Sequence, residues 1–163
     1  MNENLQEFAD RIQHPAILYV NVYPVCRMPD GHLSCLLMQR RQDVLLPGVW
    51  QPVSGKLLAG ETILAGFARQ LQMKTGIQGD DDLKPLEYVS TYFDSHYGTV
   101  MMVPAAAAFL RCDVEIHLDD TLHIGYRWVD LVDIGRYITY PGQLECYRDI
   151  CRLSDAADQA GSK

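Results

Sequence analysis

The residues of this chain whose types and spacing could do chemistry concentrate between positions 40 and 77. A glycine- and proline-punctuated run from Gly48 to Glu61 leads into a stretch with apolar residues at 64, 67, 68 and 71. That i, i+3, i+4, i+7 spacing predicts a helix over 61–75 buried on one face, with Gly76 placed to end it. Gln70, Met73 and Lys74 then stand at i, i+3 and i+4 and share the face opposite Leu64, Phe67 and Leu71. Together they offer a neutral carbonyl oxygen, a soft thioether and an ammonium. Glu61 sits at the start of the helix, where a carboxylate suits the free N–H groups. Arg40 and Arg41 lie near a strand end, and alternation sends neighbours to opposite faces, so at most one points into a cleft to meet a phosphate. Trp50, beside a Gly/Pro turn, either packs or stacks on a base or pterin ring.

Gly55, Glu61, Arg69, Leu71, Gly76 and Ile77 fall on the pattern G-x5-E-x7-R-E-U-x-E-E-x-G-U, with U aliphatic and every spacing intact. The chain thereby resembles the Nudix hydrolase superfamily over residues 15–150. Arg40-Arg41 and Tyr126-Arg127-Trp128 are similar to the dihydroneopterin-triphosphate and nucleotide pyrophosphohydrolase branch. The resemblance implies an α/β/α sandwich around a mixed sheet, and phosphoanhydride hydrolysis of nucleoside-diphosphate-linked or other phosphorylated small molecules. It also implies glutamates binding Mg²⁺ at the positions where this chain has Gln70, Met73 and Lys74, so the box is degenerate. A diphosphate is polyanionic and water attacks it poorly; a divalent ion cancels the charge and acidifies a bound water. Mg²⁺ takes hard oxygens, does not choose a thioether and is repelled by an ammonium.

Binding of a phosphorylated metabolite or nucleotide with hydrolysis weak or lost is therefore expected, with Mg²⁺ as cofactor only if hydrolysis survives. Glu61 is the one remaining candidate for catalysis or for a metal. Arg40, Arg41, Trp50, Arg69, Gln70 and Lys74 are the candidate ligand-binding residues. Lys74 has two readings: an ammonium at the usual metal position that meets a phosphate directly, or a solvated residue favoured by the helix dipole. Arg69 orients a glutamate in the family; here it pairs elsewhere, or forms a surface salt bridge.

The elements around this segment read as follows. Residues 1–13 carry Leu5, Phe8, Ala9 and Ile12 at helical spacing, a helical extension over 1–14. Residues 16–28 and 32–41 are apolar-rich and flank Pro29-Asp30-Gly31, which predicts a hairpin. Residues 45–58 predict a loop and a short strand. Further strands are expected over 86–93, 99–112 and 125–129, the second weakened by Pro104 and four alanines. Pro141 suits the first turn of a final helix over 141–157, with Leu144, Tyr147, Ile150 and Cys151 facing inward. This order predicts one domain over 1–163, an α/β fold with helices covering a mixed sheet.

Composition narrows the function classes. Hydrophobic residues are 48% of the 163, enough for a real core. The net charge of −7 argues against a coat for polymeric nucleic acid. The apolar stretch 103–110 is too short to cross a bilayer. Residues 1–15 have no apolar core of a secretory signal. Five cysteines without a CxxC pair read as reduced thiols, hence a cytoplasmic protein. Ser54-Gly55-Lys56 would end a P-loop only with Gly at 50 and Ser or Thr at 57, where Trp50 and Leu57 stand. Asp94 with His96, and His117 with His123, could meet around a transition metal, though their spacing does not demand it. Two competing readings remain: an active hydrolase using a relocated acid among Glu61, Glu87 and Glu115, and a non-enzymatic module or homodimer using Met101, Met102 and Phe109.

Overall fold

A computed structural model describes residues 16–79 and 82–160; the expected helix over 1–14 lies outside them. The hairpin forms as its turn predicts: β1 (Tyr19–Arg27) pairs antiparallel with β2 (Leu33–Arg40). The 45–58 segment contributes two short strands, β3 (Trp50–Gln51) and β4 (Val53–Lys56). Helix α1 (Ile63–Thr75) follows, then β5 (Leu83–Pro85), β6 (Ser90–Asp94), β7 (Thr99–Val103), β8 (Ala105–Leu110) and β9 (His123–Asp130). A 3-10 turn at Ile134–Arg136 leads into α2 (Pro141–Ala160).

The main sheet runs β3-β2-β1-β8-β5, with β4 also on β1 and β9 on β2; β6 and β7 make a separate hairpin. β1 and β8 are parallel and the neighbours antiparallel, so the sheet is mixed. Both of its faces are covered, which is why β1 and β8 read as continuous apolar runs rather than as alternation. Val20, Val22, Met38, Ala106 and Ala108 pack with Phe67 and Leu71 of α1. Tyr23, Val25, Leu37, Ala105 and Ala107 pack with Cys146, Tyr147 and Ile150 of α2. The alanines that weakened the expected strand are thus split between two helices, and their small side chains let both lie close to the sheet. Pro104 separates β7 from β8, and its carbonyl accepts from Asn21 N–H at 3.1 Å.

One expectation fails here. The cysteines are not all free: Cys26, at the end of β1, is joined to Cys112 after β8, 86 residues later in sequence, while Cys35, Cys146 and Cys151 are free. Parallel pairing brings Cys26 beside Leu110, a proximity that no spacing rule reveals. Cysteine usage therefore no longer points to a reducing compartment. Of the apolar residues considered for a surface on 101–110, Met101 is fully buried and Met102 and Phe109 are half-buried. Among the described residues, no helix is long and apolar enough to cross a membrane.

Candidate functional site

Helix α1 is fixed at both ends by local chemistry. Thr62 Oγ1 accepts from Ala65 N–H at 3.2 Å, and Gly76 takes φ 73° at the other end, donating to Gln72 O. Its orientation departs from the periodicity. Leu64 is 64% exposed, while Gln70 and Lys74 are buried beside Phe67 and Leu71. Of the three residues expected on an outer face, only Met73 is exposed. The helix is rolled so that positions 66, 67, 70, 71, 74 and 75 face the protein, and its polar residues are held by partners.

Those partners are specific. Gln70 Nε2 donates to Lys56 O at 2.8 Å, and its buried Oε1 has no partner among the described residues. The amide lies against Gly55, where a Cβ would stand 2.0 Å from Oε1; only glycine leaves room for it. Lys74 Nζ lies 3.0 Å from Asp119 Oδ2, with both side chains largely buried. Asp119 Oδ1 accepts from the Thr121 N–H and hydroxyl. Arg69 donates to both oxygens of Glu61, at 2.6 and 2.7 Å, and to Lys56 O at 2.8 Å. Glu61 Oε2 also accepts from Leu58 N–H rather than from the helix terminus. The Arg69 hydrogen bonds, with the Leu58 amide, hold the Glu61 carboxyl down at about 2. A carboxylate that weakly basic is a poor general base at neutral pH.

Beside this helix opens a cleft of about 1040 Å³, walled by α1 and β4 on one side and by β6, its turn and the start of α2 on another. Of the candidates, Arg40, Gln70 and Lys74 line it; Arg41, Trp50, Arg69 and Glu61 do not. Arg41 turns to Asp43 at 2.8 Å. Trp50 packs edge-on to Tyr137, with Arg127 over its ring. The relocated acids are absent too: Glu87 and Glu115 are exposed outside the cleft.

The cleft also contains groups that the sequence reading did not assign to it: Gln51, Gln143, the tyrosines Tyr19, Tyr92, Tyr97 and Tyr140, and Lys56 and Asp94, which it weighed only for a P-loop and a transition-metal site. Lys56 Nζ lies 3.5 Å from the Tyr97 hydroxyl and 5.7 Å from the Tyr19 ring centroid. Four of the chain's nine tyrosines converge here from three segments: β1, the β6–β7 hairpin and the approach to α2. Their abundance was the one available signal, and it carries no position. Beneath Gln51, buried His123 sits 3.4 Å from the Gln51 amide, and burial, with Lys74 and Arg40 nearby, lowers its basicity.

The donor set does not fit Mg²⁺. The helix offers one neutral amide oxygen, a thioether and an ammonium, while Glu61 is committed to Arg69 and Asp119 to Lys74. Among the described residues, no group of three or more His, Cys, Asp or Glu is placed to hold a metal ion. The cleft combines cations, aromatic rings and hydrogen-bonding groups, the features that bind a small polar ligand.

An α/β/α sandwich with a glycine-led loop feeding a helix against a mixed sheet defines the class. The chain belongs to the Nudix family, whose NUDIX domain model matches residues 18–150. It is similar in fold to the Ap4A hydrolase of C. elegans, solved as a binary complex: 19% identity, TM-score 0.71, spanning 86% of this chain and 99% of that one. The NUDIX domain of Shewanella oneidensis NrtR, solved with ADP ribose, matches at 16% identity and TM-score 0.68, over 93% and 99%. The MutT protein of Methanosarcina mazei Go1 matches at 22% identity and TM-score 0.63, over 88% and 98%. At such identities the likeness is one of fold. No curated protein sequence matches the chain.

Proposed function

We propose that this protein binds a nucleoside-diphosphate-linked or other phosphorylated small molecule in the cleft, and that Mg²⁺-dependent phosphoanhydride hydrolysis is weak or lost. The reading rests on one observation: the helix wall of the cleft presents Gln70, Met73 and Lys74, with Lys74 already neutralised by Asp119. Arg40 and Lys56 are the lining cations without a carboxylate partner among the described residues, and they are the groups we assign to the phosphates. Lys74 then acts on the ligand only as half of an ion pair, a weaker role than a free ammonium. The ADP ribose on the NrtR domain and the Ap4A hydrolase neighbour support a nucleotide-like ligand. Within the family, the similarity carried by Arg40-Arg41 and Tyr126-Arg127-Trp128 supports a reading in the dihydroneopterin-triphosphate and nucleotide pyrophosphohydrolase branch.

Thermal unfolding with ADP ribose and Ap4A, each with Mg²⁺ or with chelator, tests this. A ligand bound by the native state at 100 times its Kd adds about 2.7 kcal/mol of stability whether or not turnover occurs. Stabilisation is expected in chelator, with no phosphate or nucleotide product released above background in Mg²⁺. Chelator-sensitive turnover by the unmodified protein would refute the loss of hydrolysis; no stabilisation by any phosphorylated compound would refute the binding role.

A further inference from the structure

We propose that residues 1–13 dock as a helix on the outer face of the β6–β7 hairpin, laying Leu5, Phe8 and Ile12 over Phe93, Val100 and Ile17. That segment lies outside the described residues, and the surface it would cover lies within them. The inference does not depend on the ligand of the cleft.

The hairpin has two faces. Its register pairs Tyr92 with Met101 and Phe93 with Val100, and successive residues of a strand point to opposite sides. Tyr92, Asp94 and Val103 line the cleft and Met101 is fully buried, which makes theirs the inner face. Phe93, Val100 and Met102 belong to the other face, and none of them lines the cleft. Residues 16 and 17 widen that face. Ala16 bridges Met101 in parallel, its N–H donating to Val100 O at 2.8 Å and its carbonyl accepting from Met102 N–H at 2.9 Å. Alternation then sets Ile17 beside Val100 and Met102 on the outer side. Phe93 is 67% exposed, Val100 43% and Ile17 41%, and Phe93 belongs to neither core cluster. Apolar side chains contiguous on one face, rather than scattered singly, mark a surface that binds something.

The occupant follows from where the chain enters. Residues 1–15 lead directly into Ala16, on the edge of this face. On a helix, Leu5, Phe8, Ala9 and Ile12 fall within about 100° of the circumference, with Glu3, Glu7, Asp10 and Arg11 on the opposite side. Pro15 disfavours helix at His14, so the helix ends by Gln13 and two residues turn it back over the hairpin. A helix this short is marginal in water and needs a surface for its apolar stripe. The dimensions agree: Leu5 to Ile12 rises about 10 Å, and two strand spacings, from β6 across β7 to Ile17, also make about 10 Å. Three acids against one arginine suit an anionic membrane poorly. A second copy would have to displace a segment that its short tether holds at millimolar effective concentration, on the order of magnitude for such linkers.

Amide hydrogen exchange on the full chain reads this directly. Amides between residues 6 and 13 are expected to exchange at least about 10-fold more slowly than in the free peptide 1–15, and equally so at low and high protein concentration. Phe93→Asp puts a charge on the exposed face without touching either core cluster and should abolish that protection. Phe8→Asp, which leaves the described residues unaltered, should do the same. In urea unfolding, Phe8→Ala and Phe93→Ala together should lower the midpoint no further than the larger single shift, because both remove one contact. Unprotected amides in the unmodified chain, protection that survives Phe93→Asp, or midpoint shifts that add would each overturn the inference. Sedimentation separates the other occupant: a dimer that Phe93→Asp dissociates, with protection rising with concentration, gives the face to a second copy and overturns it as well.

Discussion

The two walls of the cleft differ in how their polar groups are satisfied. On the α1 side nearly every group is committed inside the protein: Gln70 to Lys56 O, Lys74 to Asp119, Arg69 to Glu61 and Lys56 O. On the opposite side, among the described residues, Asp94 Oδ2 and Gln143 Oε1 have no hydrogen-bond partner, as Gln70 Oε1 has none on the α1 side, and tyrosine faces are exposed. A wall closed on itself contributes rigidity; a wall with open acceptors contributes selectivity. The polar side chains of α1 turn to partners inside the protein, and the hairpin beside it holds groups that do not.

Breaking the closed wall should cost the most. Lys74→Met leaves Asp119 largely buried without its cation, and a loss of about 2–4 kcal/mol is expected in urea unfolding. Adding Asp119→Asn should recover much of it. A loss below about 0.5 kcal/mol would mean that the pair is solvated and the wall open. Gly55→Ala comes next. Its methyl group collides with the Gln70 amide and should cost about 1–3 kcal/mol. Gln70→Ala on the same chain should relieve the clash, since Arg69 still donates to Lys56 O.

A pH effect follows from His123 on the same side. Burial holds its folded-state pKa below the ordinary value of about 6.5, so the unfolded chain binds the proton first. This contribution to stability is full above about pH 6.5 and falls as pH drops below it, by no more than about 1.4 kcal/mol per pH unit. His123→Gln should flatten that part of the curve, and an unchanged slope would exclude His123 as its source. The smallest effect belongs to the open wall. Tyr97→Phe removes only a 3.5 Å contact to Lys56 and should shift stability by less than about 0.5 kcal/mol. A larger loss would show that this wall, too, is closed.

Much of the fold was legible in local signals. Pro29-Asp30-Gly31, Gly76 and Pro141 each punctuate an element through backbone preferences that act within a few residues, and each element begins or ends there. The roll of α1 was not legible. Apolar periodicity placed Leu64 inside and left Lys74 either at the usual metal position or in solvent, but Leu64 is exposed and Lys74 is buried, where Asp119, 45 residues away, neutralises the ammonium. Arg69 likewise finds Glu61 eight residues back, across the turn into the helix. For the candidate site, Arg40, Gln70 and Lys74 come to one cleft, whereas Arg41 and Trp50 are turned away by a local ion pair and an aromatic contact.

By itself the sequence determined the family pattern, the ends of the first hairpin and of both helices near their glycine and proline signals, and the residue types at positions 70, 73 and 74, since each is a matter of residue type and short spacing. Only the tertiary structure decided that the replacements are partly buried, that Cys26 meets Cys112, and that Tyr19, Tyr92, Tyr97, Tyr140 and Asp94 gather in one cleft. The physical reason is range. Backbone preferences act over a few residues, but burial and the partner of each polar group depend on which distant strand or loop the packed sheet brings alongside.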